Sequence, residues 1–147
     1  MTNGKHHSKH QDFEIPKEDA LKAFVTDDGT AAQMVDFAEK LGRKLKDSNV
    51  TTSQIRNAYG NMKKLELSGW QGTRTQREVL LLKPRLAYAA GRHRNGLEEL
   101  KRVMNPAIDA VTDESSFRRF CQFFEAIVAY HKAAGGNDHE QAQKSRS

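Results

Sequence analysis

Arg85 and Arg92 stand seven residues apart in Lys83-Pro84-Arg85-Leu86-Ala87-Tyr88-Ala89-Ala90-Gly91-Arg92, with Tyr88 between them. On a helix this spacing puts both guanidiniums on one face, about 10 Å apart along the axis. Each fork of N–H donors can then meet the oxygens of a phosphate. A solvated charged face is the competing reading, and spacing alone leaves both open. A second basic group, Arg56, Lys63 and Lys64, falls in residues 51–64, which contain no acid. Arg118 and Arg119 make a third, near the start of the last apolar run.

No arrangement for bond-breaking chemistry accompanies these cations. The chain has one cysteine, Cys121, so a Cys-x-x-Cys metal site is impossible. His6, His7 and His10 have the loose spacing of a solvated segment and lack the folded frame that supports metal-ligating histidine. The sequence holds no His-Glu-x-x-His, Gly-x-Ser-x-Gly or Walker-type motif. Gly69-Trp70-Gln71-Gly72 matches the Gly-x-x-Gly string of KH domains, but a KH fold needs a sheet, so the string reads as a surface loop. His131 has no acid on its own helical face, since Glu125 lies six residues away, and it reads as a packing residue or a partner of its helix C-terminus. Cys121 falls among phenylalanines and reads as core. The expectation is a protein without catalytic activity, cofactor or metal.

The charge distribution favours an anionic partner. The 147-residue chain carries a net charge of +5, but residues 30–134 hold 18 Lys and Arg against 11 Asp and Glu, a net of +7. Residues 74–94 contain Arg74, Arg77, Lys83, Arg85, Arg92 and Arg94 against Glu78 alone. Such a surface attracts a polyanion, of which nucleic acid is the usual one in cytoplasm. No apolar run approaches the roughly 18 residues of a membrane span. The first residues lack the apolar stretch of a signal peptide, and a lone cysteine fits a reducing compartment, so the expected location is cytoplasmic.

The elements that must position these residues are helices. Met34, Phe37, Ala38, Leu41 and Leu45 form one stripe over residues 30–45. Thr51 and Gln54 have the spacing of a capping box, and Ile55, Ala58, Tyr59, Met62 and Leu65 continue at helical period. Gly60 inside that run costs about 1 kcal/mol relative to Ala, which fits either close approach of another backbone or simple tolerance. A loop at residues 68–72 precedes a helical stretch over 74–90, where Pro84 either opens a helix or kinks a longer one. Gly91 suits a stop and Asn95-Gly96 a turn. Leu97, Leu100, Val103 and Met104 define the next helix, with Pro106 bending or splitting it. Asp113 can cap the last, whose inner face carries Phe117, Phe120, Cys121, Phe124, Ile127 and Val128. Phe123 and Tyr130 lie off that stripe, which suggests helix packing or contact between subunits. The fold expected is all-α, a compact bundle of about five helices over residues 30–135. Flexible tails at 1–29 and 136–147 flank it, although Ala20, Leu21, Ala23, Phe24 and Val25 could dock as a helical turn.

These segments resemble the small subunit of the type III-A (Csm-type) CRISPR effector complexes. Val50-Thr51-Thr52-Ser53-Gln54-Ile55-Arg56 is similar to the helix start of that family. Residues 82–92 are similar to its central motif, a leucine and basic run leading to Ala-Tyr-x-x-Gly-Arg. Residues 117–136 are similar to its C-terminal helix, ending Glu125-Ala126-Ile127-Val128-Ala129-Tyr130-His131-Lys132 before a glycine pair. The tails and the loop around Trp70 lie outside the match, and residues 30–45 match only in general character.

The resemblance implies a non-catalytic helical protein whose copies stack as a filament beside the backbone and large subunits of the complex. It would line the groove where CRISPR RNA and target RNA pair and touch the sugar-phosphate backbone. Sequence is then read by base pairing, which asks the protein for shape and charge and no base-edge code. A basic surface without an obvious aromatic stacking platform suits that task. Carried onto this chain, the expected RNA contacts are Arg56, Lys63, Lys64, Lys83, Arg85 and Arg92, followed by Arg118 and Arg119. Arg56 and Arg92 could instead hold helices together through carboxylates such as Glu125. The rival readings are a helical DNA-binding regulator, which would show a tight helix-turn-helix pair, and a protein-only adaptor.

Overall fold

Four phenylalanines recur along the last helix at positions 117, 120, 123 and 124, and all four are buried. A ring-lined face of this size must be covered from several sides, because each aromatic side chain removes roughly 150–250 Å² of surface from water. The rest of the chain wraps it. The computed structural model describes residues 13–135, and among them it holds seven α-helices and no strand. These are α1 (Glu18–Thr26), α2 (Ala31–Asp47), α3 (Thr52–Ser68), α4 (Thr73–Leu80), α5 (Leu82–His93), α6 (Leu97–Asp109) and α7 (Glu114–Ala133), with a single 3₁₀ turn at Asp28–Thr30 between the first two.

Helix α7 contacts α1, α2 and α3, while α5 packs on α6 and on α3. The ring contacts locate each neighbour: Phe123 meets Phe24 of α1 at 5.4 Å, Phe124 meets Tyr59 of α3 at 5.5 Å, and Phe117 meets Trp70 of the α3–α4 loop at 5.7 Å. The α2–α7 crossing is the most extensive of all. Gly42 permits it, since a Cβ there would lie 2.6 Å from the backbone nitrogen of His131 and 2.8 Å from Tyr130 carbons.

Local capping fixes two helix starts as expected. Thr51 and Gln54 form a reciprocal capping box on α3. Asp113 caps α7, accepting from the Ser116 backbone N–H at 2.9 Å and from its hydroxyl at 2.8 Å. The backbone bond from Ser116, and then its hydroxyl, hold the Asp113 carboxyl below the usual range.

Several expectations need correction. Part of the expected tail at 1–29 forms α1, and Leu21, Phe24 and Val25 bury against the bundle. That docking also places Phe123 fully in the core against Phe24, the helix-packing alternative of the two read for it. The stretch 74–90 takes the first of the two forms read for it, a new helix opening with Pro84 in its first turn after a break at Leu81, so with α1 the described residues hold seven helices where about five were expected. Gly91 does not end α5; the helix runs to His93, and Arg94 takes the left-handed turn at φ 52°. Pro106 neither splits nor ends α6, which is continuous from Leu97 to Asp109. Residues 136–147, like His6, His7 and His10, lie outside the described residues.

Two expectations about stability follow. Gly42→Ala should destabilise by about 2 kcal/mol, because the clash is with backbone and outweighs the gain in helix propensity. Gly60→Ala, where an added Cβ meets nothing within 4 Å, should stabilise by roughly 0.5–1 kcal/mol; urea unfolding of both variants measures the difference. The second concerns acid. Asp28, bonded by Arg119, and Asp113 both have depressed carboxyl values. A depressed carboxylate stabilises fully above its unfolded-state value, and that stability fades as pH falls through the folded value. Melting temperature should therefore drop as pH falls below about 4, and Asp113→Ala should lower it at neutral pH while flattening its acid dependence.

Candidate nucleic-acid interface

Helices α3 and α5 carry Arg56, Lys63, Lys64, Lys83, Arg85 and Arg92 against one carboxylate, Glu66. Between them runs a groove of about 450 Å³, lined from α3 by Ser53, Gln54 and Asn57 and from α5 by Pro84, Arg85, Tyr88, Ala89, Arg92 and His93. No acid lines it.

Polar contacts hold the two walls at one end. Gln54 Oε1 accepts both the Thr51 backbone N–H at 3.0 Å and Asn95 Nδ2 at 2.9 Å. Asn95 Oδ1 in turn accepts the Leu97 N–H at 3.2 Å, which fixes the turn between α5 and α6. Deeper in the fold, His131 is fully buried, with Nε2 2.6 Å from the Val50 carbonyl oxygen. A carbonyl can only accept, so Nε2 carries the proton and donates. His131, read as a packing residue or a partner of its own helix C-terminus, is thus a tie between the end of α7 and the start of α3.

The structure sorts the expected contacts by their surroundings. Arg85 and Arg92 line the groove on one face of α5, as their spacing predicts, and Arg92 Nη1 donates to the Tyr88 hydroxyl at 3.3 Å. Lys64 is exposed and seven residues beyond Asn57, so it continues the groove-facing side of α3. Arg56 is exposed on the flank of the same helix.

Lys63 bonds Glu66 at 2.9 Å, which raises its ionisation above the ordinary lysine value, and lies 3.9 Å from Glu125. Lys83 pairs with Asp109 at 2.8 Å. Arg119 Nε donates to Asp28 at 2.6 Å and Nη1 donates to the Val25 carbonyl at 3.3 Å, so it clamps the end of α1 onto α7. Arg118 is exposed, on the far side of α3, where it borders a different groove with Glu66, Glu114, Glu125 and Trp70. The eight cations therefore do not form one surface.

Tyr88 was noted in the sequence only as lying between two arginines, Asn95 only as part of a turn, and Ser53 and Asn57 were not singled out as binding residues. Tyr88 is 68% exposed, which helical spacing did not disclose. Nothing in the site suggests a nucleophile. Cys121 is fully buried, and burial pushes its thiol up to about 12. Among the described residues no group of three or more His, Cys, Asp and Glu could hold a metal ion, and no helix is long and apolar enough to cross a membrane.

Comparison with known proteins supplies the family. The family model described as Csm2 Type III-A matches residues 28–137. A Streptococcus thermophilus protein named "CRISPR system Cms protein Csm2" is 31% identical over 125 residues, which cover 79% of this chain and 99% of that relative. No solved structure matches significantly. With a family model spanning most of the described fold and a relative aligned nearly end to end, the chain belongs to the Csm2 family, the small subunit of the type III-A CRISPR complex.

Proposed function

We propose that this protein is a non-catalytic subunit that binds the sugar-phosphate backbone of CRISPR RNA and target RNA along the α3–α5 groove, while its copies stack as a filament beside the backbone and large subunits of a cytoplasmic complex. The observation that carries the reading is the groove itself: two guanidiniums on one face of α5, no acid in its lining, and a basic stripe continuing along α3. Arg85 and Arg92 are the primary phosphate contacts, with Arg56 and Lys64 extending the positive field. Lys63, Lys83 and Arg119 each stand beside a carboxylate and contribute less, since that carboxylate cancels most of their field at a distance. Arg118 lies on another face and is the weakest of the eight for this groove.

Binding of this kind reads no base sequence, which suits a subunit of a complex in which base pairing supplies specificity. It must also be strongly salt dependent, because each neutralised phosphate releases counterions. Purified protein titrated with single-stranded RNA, guide–target duplex and double-stranded DNA over a salt series measures this. Arg85→Ala and Arg92→Ala should each weaken RNA binding roughly tenfold and lower the salt slope by about one, with melting temperature unchanged because neither side chain is buried. RNA affinity equal to wild type in both folded variants would remove the groove from the binding surface. Salt-insensitive binding to the other subunits, with no RNA affinity even in the assembled complex, would favour a protein-only adaptor.

A further inference from the structure

We infer that the α3–α5 groove is a nucleotide site as well as a phosphate track: Tyr88 stacks on one unpaired RNA base while Arg85 and Arg92 hold the backbone on either side of it. The inference rests on the reading that this groove holds RNA, and adds what kind of RNA it takes.

Among the described residues, Tyr88 is the one exposed aromatic ring; every other Phe, Tyr and Trp is buried or half-buried. An aromatic ring turned to water at mid-helix sacrifices a large burial gain, and its position gives that cost a use. Tyr88 stands three residues after Arg85 and four before Arg92, so the three share one face of α5 and line the same groove. The Arg92 guanidinium bonds the Tyr88 hydroxyl at 3.3 Å, which orients the ring and leaves its faces open. The two arginines are about 10 Å apart along the axis, a separation that leaves room for a base between them.

The facing wall matches a nucleotide. Asn57 Oδ1 accepts from Asn61 Nδ2 at 3.0 Å, and the Asn57 side-chain nitrogen donates to no group among the described residues. The Ser53 hydroxyl likewise has no partner among the described residues, and Ser53 lines the same groove. These are suitable partners for a base edge or a ribose 2′-hydroxyl. Pro84 and Ala89 supply apolar wall beside the ring. The groove, at about 450 Å³, falls within the range of small-ligand sites.

A paired base is already stacked on both faces, so a ring can reach it only by unstacking the helix. Tyr88 therefore selects a single strand, whereas Arg85 and Arg92 serve either form. This difference separates stacking from plain charge.

The test uses the full chain with three probes: a single-stranded RNA carrying 2-aminopurine at one position, the same strand with an abasic site there, and its duplex. Tyr88→Ala should weaken binding of the intact single strand by roughly five- to 150-fold and abolish the quenching of 2-aminopurine on binding. Its affinity for the duplex and the abasic strand should change less than about twofold, and Tyr88→Phe should retain both quenching and affinity. If Tyr88→Ala weakens strand and duplex alike, Tyr88 acts only by holding Arg92, and the stacking inference is overturned. If Tyr88→Ala binds like wild type while Arg85→Ala does not, stacking is again overturned and the phosphate reading stands. Wild-type protein that binds none of the probes, either alone or in the assembled complex, would overturn both.

Discussion

The start of helix α3 depends on one buried hydrogen bond, from His131 Nε2 to the Val50 carbonyl at 2.6 Å. It joins the last turn of α7 to the residue before the α3 cap. Gly42 makes it reachable, because α2 can press directly onto the α7 backbone at Tyr130 and His131. Beyond Val50 the order propagates by short polar steps: Thr51 caps α3, Gln54 closes the capping box, and Asn95 reaches Gln54 from the α5–α6 turn. The aromatic core decides where α7 lies, and this chain of bonds converts that position into the spacing of α3 and α5. A site on the rim of a bundle gains its precision from such contacts, since the exposed side chains lining it cannot fix their own geometry.

Charge alone would have given a less selective picture of this surface. Lys63, Lys83 and Arg119 belong to the same basic count as Arg85 and Arg92, yet each has a carboxylate within 2.9 Å. Exposed pairs of this kind add little to stability, with a median of about 0–1 kcal/mol. Their larger effect is on the field, because each cancels a cation that would otherwise attract a phosphate. Glu66, Glu114 and Glu125 collect around Trp70 on the other side of α3, so the helix separates a basic groove from an acidic one.

Much of the architecture was legible because its signals are local. The caps at Thr51 and Asp113 need residues only three apart, and the all-α character follows from apolar period throughout the chain. The Arg85–Arg92 face was legible for the same reason. What was not legible depends on distant partners. Helix α1 has no side-chain cap and only a short apolar group, and its existence rests on Phe24 meeting Phe37 and Phe123. The break at Leu81 was half legible: Pro84 cannot bond the Leu80 carbonyl four residues back, which stops α4, but the sequence did not decide between a new helix and a kink. Lys83 and Asp109 are 26 residues apart, and Arg119 and Asp28 are 91 apart, which is why the carboxylate beside each cation was not legible. The exposure of Tyr88 was hidden for a simpler reason: helical spacing gives a residue's face but not whether that face is covered.

The central claim is that RNA runs between α3 and α5. Ultraviolet crosslinking of RNA to protein in the purified, assembled complex, followed by mass spectrometry of the crosslinked peptides, tests it most directly. The account predicts crosslinks within residues 53–64 and 84–93. Crosslinks confined to α1 or α7, with none in either wall of the groove, would contradict it.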